Sequence, residues 1–113
     1  MRWNLSCGAL ARAALLSSCL LAAMPVAAKN LALLVGISKF NNPDLNLEGP
    51  VNDVQALRDS LITRWGFKPD HIVTLTDRQA TRAAVLTELE RLEQRSDSGD
   101  EILIYFSTHG TSM

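Results

Sequence analysis

Two unbroken apolar runs mark this chain, Leu31–Ile37 near its first third and Ile102–Phe106 near its end. Each is too short for a free-standing helix and is bounded by polar residues, the pattern of a strand buried in a parallel sheet. Ile102–Phe106 is expected to be the central strand. Between the runs the apolar period changes. Val54, Leu57, Leu61 and Trp65 recur at helical spacing and predict a helix with that buried face, opened by Gly49-Pro50 and stopped by Gly66. His71–Leu75 is shorter and only half alternating, as expected of a strand nearer a sheet edge. Thr81 is the expected cap of a second helix, with Ala84 or Val85, Leu89 and Leu92 inward and Glu88, Arg91 and Arg95 outward. Ser96–Asp100 reads as the stop and turn before the last run. The order strand, helix, strand, helix, strand predicts an α/β fold, a parallel sheet with right-handed crossovers and helices on its faces.

The first 28 residues follow a different rule. Arg2 and Arg12 precede an apolar stretch, Ala13–Met24, and Pro25-Val26-Ala27-Ala28 ends it with small residues. This is the composition of a secretory signal peptide cleaved after Ala28, with an apolar core short of the roughly 20 residues a bilayer span needs. Leu16-Ser17-Ser18-Cys19 also resembles a lipobox that would lipidate Cys19, a reading ranked second. Export to a periplasmic or extracellular space is therefore expected, with no membrane span. Both cysteines, Cys7 and Cys19, fall in this leader, so residues 29–113 offer no thiol, disulfide or zinc-type cysteine cluster. Without the leader 9 basic residues face 12 acidic ones, and no basic stripe points to nucleic acid.

The candidate chemistry gathers at one edge. His109 and Gly110 follow the carboxyl end of the last run, where ligand and catalytic groups collect in open α/β sheets. Histidine is the side chain most suited to moving protons at such an edge, and a Gly beside it permits close backbone approach. The loop Ser38–Gly49 leaves the carboxyl end of the first strand and so shares that edge. It holds no G-x-G-x-x-G and no Walker lysine, and Ser38-Lys39-Phe40-Asn41-Asn42 lacks the glycines of a phosphate cradle. A dinucleotide or flavodoxin-like site is thus unsupported. His71 is read as a solvated residue at the start of its strand.

Three stretches carry a family resemblance: Leu31–Ser38, the segment Leu47-Glu48-Gly49-Pro50-Val51-Asn52-Asp53-Val54, and Ile104-Tyr105-Phe106-Ser107-Thr108-His109-Gly110. In this order they resemble the first half of a caspase-like domain of the metacaspase type (peptidase C14), and Ala80-Thr81-Arg82 also fits. The resemblance implies a three-layer sandwich, a parallel sheet flanked by helices, of which this chain supplies β-α-β-α-β. Residues 29–113 would be the N-terminal part of such a domain, ending after its catalytic His. Pro50 stands where many metacaspases carry a Cys, and Thr108 where a smaller residue is common.

The implied activity is a Cys-His dyad endopeptidase. His109 would be the catalytic His and Gly110 the glycine whose N–H helps bind the oxyanion. The nucleophilic Cys would lie about 50 residues further on. Residues 29–113 as they stand would be inactive alone and would need the remainder of the domain. Asp53 matches a position whose carboxylate receives a basic side chain, which implies a protein or peptide substrate cut after Arg or Lys. The same Asp53 also reads as a helix-start carboxylate favoured by the dipole. The resemblance implies no cofactor and no metal ligand; calcium dependence leaves no mark in these residues. The alternative is a non-catalytic pseudopeptidase or interaction module that keeps the fold.

Overall fold

In a computed structural model of the protein, residues 27–110 are described. The expected signal peptide up to Val26 and the lipobox Cys19 lie outside them. The elements run β1 (Asn30–Gly36), α1 (Gly49–Trp65), β2 (Ile72–Thr76), α2 (Arg82–Arg95) and β3 (Glu101–Ser107), with short 3-10 turns at Pro43–Leu45, Pro69–His71 and Asp77–Gln79. This is the expected alternation. All strand pairs are parallel, in the order β2-β1-β3.

Local chemistry explains the helix ends. Pro50 sits in the first turn of α1, where its missing N–H had no partner. Gly66 closes α1 in the left-handed conformation, φ 72°, and Phe67 N–H returns to the Leu61 carbonyl at 3.0 Å. Thr81 Oγ1 accepts from Ala84 N–H at 3.1 Å and starts α2 as expected. Arg91 pairs with Glu88 one turn away at 2.8 Å.

Each helix covers one sheet face. Val54 and Leu61 of α1 pack with Ala32, Leu34 and Ile72, joined by Leu103 and Tyr105 of β3. On the other face Leu92 of α2, with Val85 and Leu89, packs on Leu31, Leu33 and Val35 and on β2 through Val73 and Leu75. β1 is consequently the central strand, with Leu31 to Val35 at most 1% exposed.

Two expectations are corrected here. Ile102–Phe106 is not the central strand of the described sheet but lies at its edge. In register, Ile102, Ile104 and Phe106 stand beside Leu31, Leu33 and Val35, on the α2 face. α2 lies over β1 and β2, and these three side chains remain 45–50% exposed. Trp65 does not join the buried face of α1; it is 71% exposed. The chain reverses at Gly66, and Phe67 packs against the core cluster instead. Trp65 lines an apolar groove of about 560 Å³ with Leu57, Leu61, Phe67 and the first residues of β3.

Candidate active site

Gly36 ends β1 under the start of α1. A Cβ placed there would lie 2.7 Å from the Pro50 carbonyl oxygen and 2.7 Å from Val54 Cγ2. Absence of a side chain lets the helix settle on the strand at that point. The next residues leave the carboxyl edge and are tied down at once. Ile37 N–H donates to the Ser107 carbonyl at 3.0 Å, extending the β1–β3 ladder. Ser38 is buried, and its hydroxyl accepts from Val51 N–H at 3.1 Å, one of the amide groups a helix start leaves without an internal partner. Its carbonyl accepts from Leu47 N–H at 2.7 Å, closing the loop at its base. Within the loop Asn46 Oδ1 accepts from Phe40 N–H at 2.8 Å, and Asn42 Oδ1 from Asp44 N–H at 3.1 Å.

The loop is fastened across the edge by Asp77, which follows β2. One carboxylate oxygen accepts both Ser38 N–H at 2.9 Å and Lys39 N–H at 3.0 Å. Asp77 has φ 48°, a left-handed conformation that Asp tolerates better than most residues. The two amides, Lys39 first and Ser38 second, hold its carboxyl below the usual carboxylate range. Nothing in the sequence reading singled out Asp77 or Ser38. The available signal was an Asp directly after a strand, at the edge where His109 stands.

That signal has a pH consequence. A depressed carboxyl stabilises the fold above its ordinary pKa, and the contribution is lost as pH falls through the lowered value. Asp77→Asn is expected to keep the loop but to lack the loss of stability that the wild type shows as pH falls below the ordinary carboxylate value of about 3.9. Asp77→Ala should destabilise more at all pH values, since it removes the acceptor and puts Ala in a conformation disfavoured by about 1–2 kcal/mol. Urea midpoints across pH check this; superimposable acid limbs for wild type and Asp77→Asn would count against the anchor.

The anchored loop and the Asp77–Gln79 turn enclose an open cleft of about 650 Å³ with Lys39, Phe40, Thr76 and Arg78 in its lining. Phe40 meets His109 at this edge. The two rings meet edge to face, centroids 6.1 Å apart and planes at 79°. His109 is exposed, and its Nδ1 lies 3.1 Å from the Gly110 carbonyl. A carbonyl can only accept, so in that contact Nδ1 is the donor and Nε2 is the ring nitrogen not engaged by it. A Cβ at Gly110 would meet nothing within 4 Å, so packing does not itself demand glycine there.

Asp53 lies in the second turn of α1, not the first, and is exposed. Its carboxylate sits beside Gly49, and no hydrogen bond or ion pair joins it to His109 among the described residues. The edge thus brings together His109, Phe40 and the Asp77-held loop, with Asp53 apart on the helix that the same loop leads into. His71 ends a 3-10 turn before β2 and is half-buried.

A model of the caspase domain matches residues 29–113. Among curated proteins, Metacaspase-1 of Eremothecium gossypii is 36% identical over 85 residues, which is 70% of this chain and 19% of that protein. Metacaspase-9 of Arabidopsis thaliana is 37% identical over 90 residues, 74% of this chain and 27% of that protein. Metacaspase-1 of Lodderomyces elongisporus is 38% identical over 85 residues, 70% of this chain and 18% of that protein. The chain therefore spans about a fifth to a quarter of the length of these relatives.

Proposed function

The chain belongs to the caspase-domain family, and on that premise we propose that it supplies the histidine-bearing half of a cysteine endopeptidase. The observation that carries the reading is His109, at the carboxyl edge just beyond β3, its ring edge to face with Phe40, which lines the cleft. The nucleophilic Cys belongs to a part of the domain beyond residue 113. Its thiolate attacks the scissile carbonyl; His109 accepts the thiol proton and later protonates the leaving amine. Nε2, the ring nitrogen not engaged by the Gly110 carbonyl, is the one placed to take that proton. The Gly110 N–H is one donor to the oxyanion.

The outer edge of β3 is where the remainder of the domain would add its next strand. Ile102, Ile104 and Phe106, half-exposed here, would then gain cover. Residues 1–28 act as the export signal, so the peptidase works outside the cytoplasm. Asp53 receives the Arg or Lys side chain before the scissile bond; its exposed carboxylate near the start of α1 supports that role.

The test uses the whole gene product and fluorogenic peptides with Arg, Lys or Asp before the scissile bond. Turnover of the basic peptides, abolished by iodoacetamide, is expected. Asp53→Ala should lower kcat/KM on them about 10-fold or more with an unchanged melt. No turnover from well-folded protein would instead favour the pseudopeptidase. Undiminished cleavage by Asp53→Ala would return that residue to its helix.

A further inference from the structure

At the opposite edge of the sheet, the amino edge, the backbone N–H of Lys29 donates to Asp100 Oδ1 at 2.8 Å. Lys29 Nζ meets Asp97 Oδ2 at 2.8 Å and Asp100 Oδ2 at 3.4 Å. Asp97 N–H donates to Asp100 Oδ2 at 2.8 Å, and Glu101 N–H to the Lys29 carbonyl at 3.0 Å. The Asp100 side chain is 3% exposed, that of Asp97 75%. Two carboxylates therefore face one ammonium, and the buried one meets a backbone nitrogen at its Oδ1. Lys29 is also the residue that follows the expected cleavage point, Ala28.

We infer that Lys29 is the processed N-terminus of the protein and that its new α-ammonium is received by Asp100, a latch joining the start of β1 to the turn before β3. This rests on the export reading. Leader peptidase adds water across the Ala28–Lys29 peptide bond: the carboxylate stays on Ala28 and the amine on Lys29 takes a proton. The atom that was an amide donor becomes a cation without having to move. It supplies the second positive charge that the Asp97–Asp100 pair faces, and an ionic hydrogen bond is stronger than the neutral one it replaces. The geometry already favours charge on Asp100, whose carboxyl is held below its usual range by the N–H of Lys29 first and of Asp97 second. The other charged or titratable groups around the site are Glu101, which begins β3, and Lys68 and His71, which line the hollow beside Lys29.

The sign of the pH dependence follows. An α-amine titrates ordinarily near 7.7–8.0, and pairing with Asp100 raises that value in the folded state. The latch is fully present below the ordinary value and is lost as pH rises through the raised one.

The test compares two forms of the whole gene product, released from a cleavable tag to begin either at Lys29 or at Ala27. The Lys29 form should melt higher by about 3 °C or more at pH 6–7, a gap that closes above about pH 9. Asp100→Asn should abolish the gap, and Asp97→Asn should leave most of it. Acetylation of the Lys29 α-amine should also abolish it, and serves where Asp100→Asn does not fold. Equal melting of the two forms at pH 6–7, or a gap that survives acetylation, overturns the latch. Mass spectrometry of the exported protein reads the processing separately: a first residue of Lys29 supports it, and any other start overturns that half of the inference and the export site with it.

Discussion

His109→Ala in the whole gene product is expected to lower peptide turnover by at least about 10²–10⁴-fold, the contribution of a positioned acid–base group. A further loss follows if the imidazole also generates the thiolate. The melting temperature should barely move. His109 lies past the end of β3, is exposed, and among the described residues its aromatic neighbour is Phe40. An edge-to-face pair contributes about 0.5–1.5 kcal/mol when well packed, and less is expected at an exposed site. Stability and activity should therefore separate, read by a thermal melt beside turnover of a basic fluorogenic peptide. Survival of activity, or joint collapse of both, would make His109 structural and remove the main support for the peptidase reading.

Gly36→Ala is expected to have the largest effect on stability. The added Cβ would meet the Pro50 carbonyl oxygen and Val54 Cγ2, each at 2.7 Å, a separation that real Cβ atoms essentially never show. One of the two contacts is backbone and cannot rotate away. Relief requires α1 to lift from β1, which would strain the Val54 packing and the Ser38–Val51 bond two residues on. Overpacking of this kind destabilises by about 1–3 kcal/mol, and more where backbone must shift. Urea unfolding should show a lowered midpoint with an unchanged slope. Gly36→Val should fail to give folded protein, because its branches enlarge the clash. An unaltered midpoint in Gly36→Ala would mean that α1 does not press on the strand end. The site would suffer too, since Gly36 opens the loop that carries Phe40 to His109.

Much of this architecture is written locally. The change of period from continuous apolar runs to helical spacing and back determined that elements alternate, since period reflects which faces are buried. Pro50, Gly66 and Thr81 determined where the helices begin and end, because capping is satisfied within a few residues. The sequence also determined that His109 stands at the carboxyl edge, since any residue just after a parallel strand does. Tertiary structure decided what depends on partners far along the chain. Leu31–Ile37 and Ile102–Phe106 are equally apolar, and no local pattern tells which one receives a helix on both faces; pairing in the order β2-β1-β3 gave that place to β1. Trp65 kept the right spacing but lost its place when Gly66 turned Phe67 inward. Asp77 joins Ser38 across 39 residues and Asp100 joins Lys29 across 71. Such bonds exist only because parallel crossovers return the chain to the same edge. Their carboxylates look like ordinary turn residues until the edges are assembled.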